Sequence, residues 1–344
     1  MNIKNAIAFL KAYKDIDATI QKRGENRLLI NTQDVEVTIP FANACDKATI
    51  NSDTLLKLLK ELNNEWECKV EGKEAVFKYN NEIVLKANNH SIENKPIEKI
   101  HYVIKGGFKV NAKVKQFLKN IKDNMLGSLT SYDHNSKLYI QNGKVYFVSN
   151  KSLAWVETDT FKKDFAYQIS KQTVEALLKC DEEEFEFQIL EHNKQKGNYL
   201  LETPEFTNRP AYDPSTARDI EKLVNNLTKE DEIRACANIN FNKKVPQIKK
   251  DEYATFLFDG EEASIVYGGL KKEKIVLNIT NSNNLQSIKD LRFTMGSKEF
   301  NSFMKQTFKA NETARVTIYQ RADDAKGLLK LESSNAILGA FHAE

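Results

Sequence analysis

The chain has 344 residues, 41% of them apolar and 29% charged, a length that predicts two or three domains with room for sizeable cores. No run approaches the roughly 18 apolar residues of a membrane-spanning helix, and the opening MNIKNAIAFLKAYK carries a charge in every short apolar stretch, so no span, no secretory leader and a cytoplasmic location are expected. Fifty-one Lys and Arg against 48 Asp and Glu leave a net charge of +3, which by itself points to neither nucleic acid nor a membrane surface.

In chain order, the first helix is expected near the start, with Ile3, Ala6, Ile7 and Leu10 on one face, followed by the strands ATIQKR, RLLINT and VEVTIP. NSDTLLKLLKEL predicts a second helix, capped by Ser52 or Asp53 and burying Leu55, Leu58, Leu59 and Leu62, with the alternating runs WECKVE, AVFKYN and EIVLKA after it. FKVNAKVKQFLKNIK repeats the order, with Val114, Phe117, Leu118 and Ile121 inward. It leads to KLYIQNGKVYFVSN, whose Asn142-Gly143 pair marks a type I′ hairpin because both turn positions need positive φ. AYQISKQTVEALLK, with Ser170 as cap, precedes EFEFQIL and NYLLET. STARDIEKLVNNL is expected to bury Ile220, Leu223, Val224 and Leu227 ahead of YATFLFDGEEASIVYG and KIVLNIT. LRFTMGSKEFNSFMKQTF is expected to bury Phe300, Phe303, Met304 and Phe308 ahead of ARVTIYQ, LLKLES and AILGAF.

One such unit cannot cover both its helix stripe and its sheet face, whereas two together make a two-layer domain. The expected fold is therefore α+β, with three similar domains of antiparallel sheet and paired helices: residues 1–100, 101–207 and 208–344. Pro and Asn cluster at the two junctions, 88–99 and 203–215, and the segment 229–252 has no assigned role. The competing reading is an ordinary α+β chain whose amphipathic helices merely look alike.

The polar faces of the helices carry a second pattern. Lys115, Lys119 and Lys122 form one ridge, and Arg218, Lys222, Asn225 and Lys229 another. Lys57 and Lys60, Lys11 and Lys14, and Lys298 and Lys305 occupy the matching faces of other helices. The six helical segments hold 17 basic residues and six acids, a net +11, and the rest of the chain is net −8. A positive helix layer beside a negative strand layer suits the phosphates of a polyanion, contacted without reading its sequence. The alternative is that lysine is simply a good helix former on a solvated face.

Several chemistries have no support. There is no GxxxxGK[ST] or GxGxxG motif and the five histidines are scattered, so neither nucleotide hydrolysis nor a zinc site, nor any other metal or cofactor, is expected. Cys45, Cys68, Cys180 and Cys236 contain no CxxC pair and read as reduced structural thiols. Asp133-His134 reads as a turn, and the run DEEEFEFQ (181–188) as a strand with a solvated acidic face. No catalytic constellation emerges, and the chain is expected not to be an enzyme. On these grounds alone, a structural β-rich phage or virion protein built from repeats also fits.

Residues 108–158, FKVNAKVKQFLKNIKDNMLGSLTSYDHNSKLYIQNGKVYFVSNKSLAWVET, resemble the start of the middle domain of the bacterial DNA sliding clamp, the beta subunit of DNA polymerase III. LRFTMGSKEFNSFMKQTF and AILGAF are similar to the start and end of its third domain. The resemblance implies the DNA clamp fold and a head-to-tail homodimeric ring around double-stranded DNA. In such a ring helices line the hole, and Lys11, Lys14, Lys57, Lys60, Lys115, Lys119, Lys122, Arg218, Lys222, Lys298 and Lys305 face phosphates. It implies a pocket for short peptides of the DNA polymerase and of a separate clamp loader, matched here by Ser149, Leu153, Ala154, Ile337, Leu338 and Phe341. Asn150, Lys151 and Ser152 depart from the family's Asp-Gly-His-Arg pattern, and GAFHAE from its Met-Pro-Met-type ending. EIVLK (82–86) and KIVLN (274–278) are similar to the strands that join protomers in the family.

Overall fold

The structure is a computed structural model that describes residues 3–12, 15–62, 65–91, 94–123, 136–149, 152–161, 166–180, 182–210, 214, 219–230, 233–240, 247–250, 252–260, 262–288, 290–297, 300–301, 313–320, 327–332 and 337–341. The chain opens with α1 (Ile3–Ala12), β1 (Asp17–Lys22), β2 (Arg27–Asn31), β3 (Val35–Pro40), β4 (Ala48–Asn51) and α2 (Ser52–Leu62). Then come β5 (Glu67–Glu71), β6 (Glu74–Tyr79), β7 (Glu82–Asn88), β8 (Tyr102–Val110) and α3 (Ala112–Ile121). The middle of the chain forms β9 (Ser136–Gln141), β10 (Lys144–Ser149), β11 (Ser152–Glu157), β12 (Thr160–Phe161), β13 (Tyr167–Ile169) and α4 (Lys171–Leu177). β14 (Phe185–His192), β15 (Tyr199–Glu202), β16 (Phe206–Asn208), α5 (Ile220–Leu227) and β17 (Ile233–Asn240) follow. The last strands are β18 (Tyr253–Asp259), β19 (Glu262–Tyr267), β20 (Glu273–Asn283), β21 (Leu291–Gly296), β22 (Thr313–Gln320), β23 (Gly327–Glu332) and β24 (Ile337–Phe341). Two compact units result: Met1–Asn111 with Gln172–Pro214, and Ala112–Lys171 with Ser215–Glu344.

In the first unit an antiparallel sheet runs in the order β8-β14-β15-β16-β3-β2-β1-β4. α2 lies against β1 and β4, and α1 against α2 and β3. The apolar stripe of α2 is where periodicity places it, with Leu55, Leu58 and Leu59 buried, but its cap is Asn51, whose Oδ1 accepts from Asp53 N–H at 2.9 Å, rather than the expected Ser52 or Asp53. Each of these leucines contributes about 2 kcal/mol by leaving water. Beside this sheet, β5, β6 and β7 make a separate three-stranded one whose inner face holds Trp66, Cys68 and Phe77. Phe41 stacks against Trp66 at 4.7 Å between ring centroids, and Asn43 donates to the Trp66 carbonyl at 3.1 Å, tying the chain after β3 to this small sheet.

Both expected junctions are ordered by specific bonds. In the first, the Asn94 side chain donates to Asp17 O at 2.8 Å, its backbone N–H donates to Thr19 Oγ1 at 3.1 Å, and Ile97 N–H donates to the buried Glu36 carboxylate at 3.0 Å. In the second, Phe206–Asn208 forms β16, which bridges β15 and β3 with Phe206 opposite Val37. A stretch expected to lack periodicity is therefore a strand, too short for alternation to reveal it and held by partners distant in sequence.

In the second unit a twelve-stranded sheet runs β13-β9-β10-β11-β24-β23-β22-β17-β20-β19-β18-β21. The β9–β10 turn matches its expectation: Asn142 has φ 45° and Gly143 φ 78°, both in the left-handed region that a type I′ turn needs. The unassigned segment 229–252 contains β17, whose Ala235, Ala237 and Ile239 face the core between β20 and β22. Its far end is pinned by Asn301, which accepts from Ile248 N–H at 2.8 Å and donates to Ile248 O at 2.6 Å.

Two expectations for the fifth helix fail. Leu223 is 40% exposed, because Ile220 and Val224, one turn apart, make the contact with the sheet. Lys229 lies past the helix end: Thr228 leaves the helical region at φ −122° and its hydroxyl donates to Val224 O at 2.9 Å, so the expected four-residue ridge stops before Lys229. The sixth helix is described only at Ser297, Phe300 and Asn301, and Phe303, Met304 and Phe308 lie outside the described residues.

Candidate functional site

α3 carries the clearest basic ridge. Burial of Val114, Phe117, Leu118 and Ile121 fixes the rotation of the helix, leaving Lys113 and Lys119 exposed and Lys115 half-buried. Lys122 follows the last turn, its N–H donating to Leu118 O at 3.0 Å. The sequence of α3 contains no acid, so nothing on the helix neutralises these ammonium groups. On the first unit, exposed Lys57 and Lys60 of α2 join Lys11 of α1 around an open groove of about 590 Å³ shared with Asp53, Leu56 and Glu61. Two carboxylates among three lysines make this surface more weakly positive than α3. Lys222 is exposed on α5, while Lys14, Arg218, Lys298 and Lys305 lie outside the described residues.

The residues matched to the peptide pocket meet through strand pairing. β11 and β24 are antiparallel neighbours with Leu153 opposite Gly339, Ala154 opposite Leu338 and Trp155 opposite Ile337, and Phe341 ends β24 opposite Leu328 of β23. Segments almost 200 residues apart in sequence are thus joined in one seam. Ser149 ends β10, half-buried and opposite Ser136. Leu153 and Ala154 are fully buried, so they act as supporting core.

Leu153 shares a core cluster with α5. Ile220 and Val224 pack into a cluster with Tyr139, Tyr146, Leu153 and Trp155, residues that alternate onto one face of β9, β10 and β11. The helix start is held by the neighbouring hairpin: Gln141 accepts from Ile220 N–H at 3.0 Å and Glu221 N–H at 3.1 Å and donates to Asp219 Oδ1 at 2.8 Å, while Asn142 donates to the Glu221 carboxylate. Asp219 caps the helix by accepting from Lys222 N–H at 3.0 Å, and that bond together with Gln141 holds its carboxyl below the usual range. Burial, with the Glu221, Asp219 and Glu157 carboxylates nearby, pushes the Tyr146 phenol up. The Tyr146 hydroxyl has no hydrogen-bond partner among the described residues. On the other flank the Lys330 ammonium lies 5.8 Å from the Trp155 ring centroid.

Tyr139, Tyr146, Trp155, Ile220, Val224 and Lys330 had not been singled out as site residues. The i, i+4 spacing of Ile220 and Val224 and the alternation of YIQNGKVYF do carry a signal for Tyr139, Tyr146, Ile220 and Val224, but nothing in sequence says that this helix and this hairpin meet.

Two of the strand edges have no further strand beside them among the described residues. β7 is the outer strand of its sheet, with Ile83 54% and Val84 43% exposed. The first half of β20, Glu273–Leu277, pairs with β19 on one side, and among the described residues no strand pairs with its other side; Val276 there is 64% exposed. Both lie where sequence reading places the joining strands.

Elsewhere the described part of the acidic run 181–188 behaves as read, with Phe185 and Phe187 buried and Glu186 exposed on β14 and Glu184 exposed just before it. Among the described residues no three His, Cys, Asp or Glu side chains converge as a metal site would require. Asp133-His134 lies outside the described residues.

No family model and no curated protein matches the chain. Solved structures do. The Helicobacter pylori beta clamp bound to a DNA ligase peptide superimposes with a TM-score of 0.68 at 14% identity, covering 100% of this chain and 99% of that one. The DNA polymerase III beta subunit of Pseudomonas aeruginosa matches with a TM-score of 0.65 at 11% identity over 100% and 99%. A putative beta subunit from Eubacterium rectale matches with 0.61 at 10% over 100% and 98%. The chain has the bacterial sliding-clamp fold from end to end.

Proposed function

We propose that this chain, folded throughout as a bacterial beta clamp is folded, works as a sliding clamp: a non-enzymatic processivity factor that closes as a homodimeric ring around duplex DNA and tethers a DNA polymerase. The observation that carries the proposal is the match in length as well as fold, since essentially the whole of each chain takes part. Three domains, 1–100, 101–207 and 208–344, are then half of a six-domain ring. The open edges of β7 and β20 suit head-to-tail closure by strand addition, one copy presenting Ile83 and Val84 and the next Val276.

Mechanism follows from what the ridges can and cannot do. Lysines on flexible stems contact phosphate without reading bases, so every register along the duplex is nearly equal in energy and the ring can slide. Retention comes from topology, and affinity can remain low. The β11–β24 seam, flanked by α5, is the docking region for a short peptide of the polymerase or of a separate clamp loader. The H. pylori clamp with its ligase peptide is a precedent for peptide binding on this fold. The chain works in the cytoplasm, where replication takes place.

The test is whether the ring exists and whether it depends on topology. Sedimentation should give a particle near twice 39.4 kDa, and electron microscopy a closed ring. Once loaded, the protein should stay on nicked circular DNA and run off the same DNA after linearisation. A monomer, or equal retention on both, overturns the reading.

A further inference from the structure

Cys45 and Cys68 were read as isolated structural thiols, yet the fold brings them face to face within the first unit. They occupy opposite positions of a parallel β-bridge formed by Cys68 N–H donating to Ala44 O at 3.1 Å and Asp46 N–H donating to Cys68 O at 2.9 Å. Paired strands lie about 4.8 Å apart, inside the roughly 4.4–6.8 Å Cα separation that a disulfide spans. Cys68 is fully buried, whereas Cys45 is half-exposed, in a loop whose Ala42, Ala44, Asp46 and Lys47 are exposed.

We propose that Cys45 and Cys68 form a reversible intramolecular disulfide and are the redox-modification site of this protein. Cys45 is the entry point because an oxidant can reach it and cannot reach Cys68. With hydrogen peroxide, the Cys45 sulfur attacks one peroxide oxygen, the O–O bond breaks, and sulfenic acid and one water form. The Cys68 sulfur then attacks the sulfenic sulfur, the S–S bond forms, and the hydroxyl leaves as a second water. Two thiols have lost two protons and two electrons, and one peroxide has become two waters. A dithiol reductant reverses the step. The neighbouring Cys68 thiol and burial push the Cys45 thiol up, so its thiolate is scarce at neutral pH and the reaction is slow there and faster in mild alkali. The bond closes the chain around β4 and α2, the segment that carries Lys57 and Lys60.

Full-length protein treated with hydrogen peroxide at about pH 8 should fall from four titratable thiols in denaturant to two. Acid peptide mapping without reductant should find the Cys45 and Cys68 peptides joined, with Cys180 and Cys236 unchanged, and dithiothreitol should restore all four thiols. The oxidised form should melt about 5 °C higher, as closing a loop of this size predicts. Cys45→Ala removes a half-exposed sulfur, should leave the fold intact, and should show neither the joined peptides nor the higher melting temperature. Four thiols persisting after prolonged oxidation, sulfinic acid on Cys45 without a cross-link, or joined peptides involving Cys180 or Cys236 would each overturn the assignment. The result does not depend on whether the protein is a clamp.

Discussion

β24 and β7 are both strands that could have ended a sheet, and they meet opposite fates. β24 pairs on one side with β23 and on the other with β11, so its hydrogen-bonding groups are used within the chain. Among the described residues β7 pairs with β6 alone, and it turns Ile83 and Val84 to solvent. An unpaired edge is normally blunted by charge, proline or a bulge. Here Glu82 and Lys86 flank the apolar run Ile83–Leu85, and a β-bulge falls within β7 itself, where Leu85 pairs with Phe77 and Ile83 with Lys78 and Val84 is the extra residue. The contrast teaches that one edge is used up in making a sheet continuous, whereas the other has no strand beside it among the described residues.

The strongest way to break this contrast is at the closed seam. Leu153→Ala should cost about 3 kcal/mol in equilibrium denaturation, because a fully buried leucine in the cluster shared with α5 leaves a cavity. A change under 1 kcal/mol would mean that it is not packed in that cluster. At the open edge, Ile83→Lys with Val84→Lys should weaken dimerisation by about a hundredfold in sedimentation equilibrium while leaving the protomer's melting unchanged, since both side chains are already in solvent. An intact dimer would remove β7 from the interface.

The ridges come next. Lys115→Glu with Lys119→Glu should reduce duplex-DNA binding at low salt by about tenfold and flatten its salt dependence, read by fluorescence anisotropy, and the same change at Lys57 and Lys60 should do less because Asp53 and Glu61 already offset them. Equal effects would refute the charge difference between the two surfaces. Asp219→Ala should speed amide exchange at the start of α5. Because the folded-state pKa of Asp219 lies below its unfolded value, its contribution is present above the unfolded pKa and lost as pH falls through the folded one. Protection factors in α5, with exchange corrected for its intrinsic pH dependence, should therefore fall on acidification in the native protein and change less in the variant. The smallest effect has the opposite sign: Tyr146→Phe removes a buried hydroxyl with no partner among the described residues and should raise stability by up to about 1 kcal/mol.

Local pattern was legible wherever one residue's environment repeats at the period of its own element. The leucines of α2, the Asn142-Gly143 turn and the alternation of Phe185 and Phe187 were all readable, since each depends on neighbours a few residues away. Leu223 misled because a helical stripe shows which residues could be inward, and only the partner surface selects Ile220 and Val224 from it. The lysine ridges follow the same logic: helix spacing sets their common face, and the fold decides what that face meets.

By itself the sequence determined most elements of the chain, the α+β class and the division of charge between helices and strands, because these arise from short-range periodicity and composition. Only the tertiary structure decided that Phe206–Asn208 is a strand, that α5 joins the cluster of Leu153 and that Cys45 faces Cys68. Each of these is a pairing of segments far apart in sequence. Its register is chosen by the summed burial and hydrogen bonding of both partners, a quantity that neither segment carries alone.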